Sequence, residues 1–335
     1  MKKLFALLLV FVMSVLVLSS CSNEPDTIIE NPVQNEDPIV QKVAEVTRVS
    51  ALKGPTGMGM AKMITDADQK YVFNIAPAPT DVQAALISGT VDIAAVPTNL
   101  ASVLYNKTEG GIKVLALNTE GVLYILDSTG KIEDIDDLKG KTIGATGQGS
   151  TPEYILRYIL TENGIDPDKD VTLEFYTEHA ELATRMASGD VKIGMLPEPN
   201  VTTTITKNTA LKNVINLTEE WSKIAPDSAL VQGCIVARTE FIEKYPDSVE
   251  NFLDEYKASV DYVLTNEDAP EMIAALGIVP SAQIAEKALP NCNICYFDAS
   301  SQMYEKLSGF LGVLNSFSPQ SIGGTLPDDT FYYGK

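Results

Sequence analysis

From Glu45 onward, short runs of apolar and β-branched residues alternate with stretches whose apolar positions recur every three or four residues. The first pattern is that of a buried strand, the second that of an amphipathic helix. Strands are expected at Val46–Leu52, Tyr71–Ala76, Asp92–Val96, Val114–Asn118 and Val122–Leu126, and then at Thr142–Ala145, Thr172–Tyr176, Ile193–Leu196, Val214–Leu217 and Leu230–Ala237. Helical periodicity fills the gaps, notably at Thr80–Ser88, Pro152–Asn163, Ala180–Ser188, Ser248–Asn266 and Ser300–Leu314. Strands alternating with such helices build βαβ units, so the expected class is α/β with mainly parallel sheets.

The pattern also repeats. Thr80–Pro97 lies over Ala180–Pro197, with Ser88-Gly89 matching Ser188-Gly189 and Pro97 matching Pro197 at a constant offset of 100 residues. Each copy reads as a helix, a glycine stop suited to the left-handed position after a helix, a short buried strand and a proline-marked turn. The repeat predicts two α/β lobes of one design. Residues 45–126 with 230–335 are assigned to lobe 1 and residues 127–229 to lobe 2, with chain crossings near 124–130 and 226–234. Two crossings make a hinge, and a hinge between lobes makes a cleft that can close.

The first residues have a different pattern. Lys2-Lys3, an apolar run from Leu4 to Leu18 and the small residues Ser19-Ser20 before Cys21 describe a secretory signal over residues 1–20. Leu18-Ser19-Ser20-Cys21 resembles the bacterial lipobox, which implies lipidation of Cys21; the plainer alternative is a secreted protein with an incidental cysteine. Residues 21–44, rich in Asn, Glu, Asp and Pro, read as a flexible tether. The chain has 45 acidic and 25 basic residues, a net charge of −20; loss of Lys2 and Lys3 leaves 23 basic residues and −22. A surface this acidic repels a phosphate backbone, so nucleic acid is excluded as a partner. One His and four Cys leave little material for a zinc enzyme or a His-based triad, and no cofactor is expected.

Gly54-Pro-Thr-Gly57-Met-Gly59-Met after the first strand, the Ser88–Ala94 turn and Asp137-Leu-Lys-Gly-Lys-Thr-Ile-Gly144 together resemble the type II periplasmic-binding-protein fold. Within it the chain is similar to the nitrate/sulfonate/taurine and thiamine-pyrimidine group of ABC-transporter substrate-binding lipoproteins. The resemblance spans nearly all of Glu45 to the C-terminus. It implies a monomeric, lipid-anchored extracytoplasmic protein that captures a small molecule between its lobes, with an ABC permease and ATPase as partners and no catalysis. The pyrimidine-synthesis and menaquinone-pathway enzymes of the same fold are the alternative, as is a receptor for a signalling partner. The export signal and the lack of a His/Cys/Asp constellation in the turns weigh against an enzyme.

Ligands of open α/β sheets sit beyond the carboxyl ends of the strands, and four turns there carry suitable residues. In the first, Thr56, Gly57 and Met58 open a helix; its N–H groups suit a carboxylate, sulfonate or phosphate, or the loop is a simple N-cap. In the second, Gln148, Gly149, Ser150 and Thr151 form a polar cradle, with Thr151 as N-cap and Pro152 in the first helical turn. The third and fourth, Thr98-Asn99 after Pro97 and Glu198 between Pro197 and Pro199, are expected to face each other across the cleft. Glu198 either accepts a hydrogen bond from the ligand or bonds a nearby helix N-terminus. His179, in another such turn, is either a structural residue or a contact. Arg48, Arg157, Arg185 and Arg238 fall within strands or helices, so no guanidinium fork serves a multiply charged anion; a neutral, zwitterionic or singly charged ligand is favoured. Cys292 and Cys295 have no further ligands for zinc, and form either a strained disulfide or two buried thiols.

Overall fold

The computed structural model describes residues 42–335, arranged as two mixed sheets with helices on their faces. In the first sheet β1 (Thr47–Leu52), β2 (Tyr71–Ala76) and β3 (Ile93–Pro97) run parallel, with β1 paired to β2 from Thr47–Tyr71 through Leu52–Ala76. β4 is Ile112–Glu120 and β5 is Leu123–Asp127. The second sheet is founded on β6 (Thr142–Thr146), β7 (Thr172–Tyr176), β8 (Ile193–Pro197) and β9 (Lys212–Asn216); β10 (Val231–Arg238) and β11 (Ile294–Phe297) follow. The sheet orders are β11-β4-β10-β3-β1-β2 and β7-β6-β8-β5-β9.

The repeat is visible in this topology. β3 and β8 have the same bounds 100 residues apart and hold equivalent places beside β1 and β6. The preceding helices, Pro79–Ser88 and His179–Ser188, both end at a left-handed glycine, Gly89 at φ 71° and Gly189 at φ 84°. A side chain would be strained at that conformation, which is why each copy carries Gly there.

One assignment is corrected. The strand beginning near Val122 was placed in lobe 1, yet β5 is hydrogen-bonded antiparallel to β8 and β9 in the second sheet. β10 makes the reciprocal insertion between β3 and β4 of the first. The first part of the chain therefore supplies one antiparallel strand, β5, to the second sheet, and the later part returns two, β10 and β11, to the first. The first crossing falls between Glu120 and Leu123, earlier than 124–130, and the second lies between the helix Leu217–Ile224 and Val231. β5 is buried along its whole length and polar only at the Tyr124 hydroxyl and Asp127, so its side chains favour neither sheet.

The end of the presumed tether is also tied down: the Lys42 N–H donates to the Asp247 carboxylate and the Ala44 N–H to Ser248 Oγ at 2.8 Å. The signal segment, Cys21 and the rest of the tether lie outside the described residues. β11 adds an edge strand beside β4, and Cys234, Cys292 and Cys295 are free thiols, which decides between the two alternatives for the Cys292 pair. The helix Met303–Phe317, expected on the first lobe alone, joins the two halves. Phe310 packs on Trp221 with ring centroids 5.3 Å apart, and Phe317 on Tyr158 at 5.5 Å. One apolar cluster accordingly runs from Val96 and Leu117 of the first sheet to Ile125, Ile143 and Met195 of the second. Among the described residues no helix is long and apolar enough to cross a membrane.

Candidate functional site

The strand-end turns of the two sheets meet, but crosswise. The Thr151 hydroxyl donates to Asn99 Oδ1 at 2.5 Å, joining the second turn to the third. Gly54 of the first turn approaches Pro199 of the fourth; a Cβ on Gly54 would lie 3.8 Å from the proline ring. The third and fourth turns, expected to face each other, each meet a different partner. The repeat relates the turn after β1 to that after β6 and the turn after β3 to that after β8, so the Thr151–Asn99 contact and the Gly54–Pro199 approach are counterparts of each other.

Much of the polarity in these turns is used internally. Thr98 Oγ donates to the Val231 carbonyl at 2.7 Å, and Asn99 Nδ2 to the Ser321 carbonyl at 3.0 Å. In the first turn the N–H groups of Gly57 and Met58 both point at the Gly54 carbonyl, at 3.0 Å each, so neither is directed outward for an anion. Met58 is wholly buried in the core. Thr56 is half-buried, with its methyl toward Gly233. The anion cradle expected from Gly57 and Met58 is thus a packed helical turn, and of that trio only Thr56 keeps an accessible face.

The second turn differs from expectation in its cap. Ser150, not Thr151, is the N-cap of the helix Thr151–Glu162, and no side chain makes the capping bond. The Ser150 hydroxyl turns back to the Gly147 carbonyl at 2.7 Å, and the Gly149 N–H donates to Glu153 Oε2 at 2.6 Å. Gln148 and Gly149 form an exposed rim. Arg157 is held by Glu153 at 2.7 Å and Asp168 at 2.8 Å; Arg48 and Arg238 converge on buried Asp92, remote from the turns.

His179 shares a 2.5 Å hydrogen bond between Nδ1 and Thr146 Oγ1. Its ring is surrounded by protein while retaining some access to water, and burial lowers its pKa to about 4, so the imidazole is neutral in ordinary conditions. Glu198 is 2% exposed. It accepts from the Thr202 N–H at 3.1 Å and from the Thr202 hydroxyl at 2.9 Å, so it does bond the start of the helix Asn200–Lys207. Burial pushes its carboxyl above the ordinary value while the two Thr202 bonds pull it down, and burial dominates.

Beside Glu198 opens a cavity of about 500 Å³ walled by Val201, Thr202 and Ile205 on one side and by Lys287 and Asn291 on the other. None of these five was singled out from sequence. The only available signal was the spacing of Val201 and Ile205 on one helical face, and nothing local links them to Lys287. Tyr124 of β5 donates to the Asn291 carbonyl at 3.2 Å nearby, another contact between the two sheets' bodies.

Two α/β sheets that exchange a strand, join by two crossings and meet through their strand-end turns define a two-lobed solute-binding protein. The chain belongs to the family described as ABC transporter, phosphonate, periplasmic substrate-binding protein, whose family model matches residues 60–285. Among solved structures it is similar to an ABC transporter protein from Parabacteroides distasonis, at 25% identity and TM-score 0.73, covering 87% of this chain and 100% of that one. It shares its fold with the periplasmic aliphatic sulphonate binding protein SsuA from Escherichia coli, at 16% identity and TM-score 0.67 over 85% and 93% of the two chains. It is also 33% identical over 81 residues to YtlA of Bacillus subtilis (strain 168), which is named as a binding protein; that match takes in 24% of each chain.

Proposed function

We propose that this protein is the extracytoplasmic solute receptor of an ABC importer. It captures a small organic molecule between its two sheets and delivers it to a membrane permease powered by a cytoplasmic ATPase, without chemical change. The observation that carries the reading is the crosswise meeting of strand-end turns between two bodies joined by two crossings, the geometry of a closable cleft. Membership of a periplasmic substrate-binding family supports it, and the lipobox-like Leu18–Cys21 supports attachment to the membrane by a lipid on Cys21. Thr56, Gln148, Gly149, Ser150 and His179 keep accessible atoms along the turns and are the residues proposed to face the cleft there. Thr98, Asn99 and Thr151 act by holding the closed geometry. With the arginines engaged elsewhere, the ligand is neutral, zwitterionic or singly charged.

A thermal-shift screen of sulfonates, phosphonates, aminopyrimidines, amino acids and aromatic acids tests the reading. A ligand at about 100 times its Kd adds about 2.7 kcal/mol of stability, so a true ligand should raise the melting temperature by several degrees. Silence across the panel, with native mass spectrometry showing no co-purified molecule, would overturn it.

A further inference from the structure

The helix Thr98–Lys107, which follows β3, is sewn to a late segment of the chain by a row of side chains on one face. Asn99, Ser102 and Asn106 stand at positions i, i+3 and i+7, the spacing of a single helical stripe. Asn99 Nδ2 donates to the Ser321 carbonyl at 3.0 Å and Ser102 Oγ to the Ile322 carbonyl at 2.8 Å. Asn106 Nδ2 donates to the carbonyls of Ile322 at 3.0 Å and Thr325 at 2.8 Å. Gly323 permits this close approach: a Cβ there would lie 3.1 Å from both Val103 Cα and Asn106 Nδ2.

Of this row, Asn99 also reaches the second body, where its Oδ1 accepts from the Thr151 hydroxyl. The two ends of the amide are not interchangeable here. A carbonyl can only accept, so Ser321 takes the NH2 group and leaves the oxygen for Thr151. The Thr151 hydroxyl, able to donate or to accept, would tolerate either end. The segment 321–325 therefore sets which way the amide points. Asn99 is 5% and Thr151 2% exposed, so water does not compete for the bond between them. In an opened cleft water would satisfy both groups, whereas closure without the bond would leave a buried oxygen unpaired. The bond thus distinguishes the two states, and no solute takes part in it.

We propose that Asn99 is a positioning residue for solute capture: aimed by the segment 321–325, it latches the two bodies closed through Thr151 before any solute arrives. A solute then enters through a transiently opened form, and the latch sets how often that form occurs and so how tightly a solute appears to bind. The proposal rests on the reading of the protein as a receptor with a closable cleft. It is independent of which molecule the cleft holds.

Double electron–electron resonance on the full chain tests this. Spin labels are carried by ketone side chains, which spare the thiols, at Val72 of β2 and Lys169 before β7, exposed positions on the two bodies. Bound molecules are first removed by dialysis through urea. The wild type should then show mainly the shorter distance. Thr151→Val, which keeps the shape and removes the hydroxyl, should raise the ratio of open to closed form about tenfold, the scale of a buried acceptor left unpaired. Thr151→Ser should restore the wild-type distribution. Asn99→Ala combined with Thr151→Val should open the protein no further than either change alone. Asn106→Ala, which touches the late segment and not Thr151, should shift the distribution in the same direction. A purely structural role would lower the melting temperatures of these variants and leave their distances alone. The Thr151 and Asn106 variants keep the test decisive if Asn99→Ala fails to fold. A mainly open wild type overturns the latch, as does a Thr151→Val distribution equal to that of the wild type. A shift with Thr151→Val but none with Asn106→Ala overturns the positioning by the segment 321–325. Each of these results leaves the receptor reading standing; that reading falls separately, if no molecule in the thermal-shift screen stabilises the protein.

Discussion

A histidine in a cleft-facing turn invites a catalytic or ligand-binding reading, but the surroundings of His179 set what its ring can do. A free histidine titrates near 6.5, whereas burial beside Thr146 holds this one at about 4. Between those values the native state binds fewer protons than the unfolded chain. The contribution to stability is therefore complete above about pH 6.5 and is lost as the pH falls toward 4. Discounted for the ring's partial access to solvent, the loss by pH 5 is about 1–2 kcal/mol. Urea unfolding at pH 7 and pH 5 should show the wild type losing that much more than His179→Gln; equal losses would refute it. The turn residues teach a related lesson. Ser, Thr, Asn and Gln at strand ends were legible as polar groups, but not as engaged ones. The partners of Thr98 and Asn99 are Val231 and Ser321, far along the chain.

At the scale of elements the repeat was the most legible feature, because helix stop, buried strand and proline turn are each written in a few adjacent residues. The two copies appear with identical bounds 100 residues apart. The sheet that would take β5 was not legible, since a run buried on both faces lacks the alternation that marks an outer face. Gly57 was read as a site for a ligand's close approach and instead admits a close approach of the chain to itself. A Cβ there would lie 2.2 Å from the Leu52 carbonyl oxygen. Gly57→Ala should cost on the order of 1–3 kcal/mol, because backbone cannot give way as a flexible side chain does. Gly312, in the helix Met303–Phe317, has open space where its Cβ would be. Gly312→Ala should be neutral or stabilise by up to about 1 kcal/mol. The urea midpoints of the two variants should move in opposite directions; a shared direction would count against this account.

For the whole molecule, the net charge of −20 describes a solvated exterior and leaves the chemistry of the cavity to local groups. Anchoring belongs to this scale too. If Cys21 carries the lipid, Cys21→Ser should move the protein from the membrane fraction to the soluble extracytoplasmic fraction, and intact mass should lose the acyl chains; unchanged partitioning would refute the anchor.

The sequence by itself determined the α/β class, nearly every strand and the 100-residue repeat, because each is a pattern of period two, of period near 3.6 or of a few neighbouring residues. Tertiary structure alone decided the strand exchange, the crosswise meeting of turns and the joining of Glu198 to a cavity that Lys287 shares. Those depend on which groups the folded chain brings together over separations of tens to hundreds of residues. No local pattern encodes whether a hydroxyl or carboxylate at the end of a strand finds a partner there or is left facing open space.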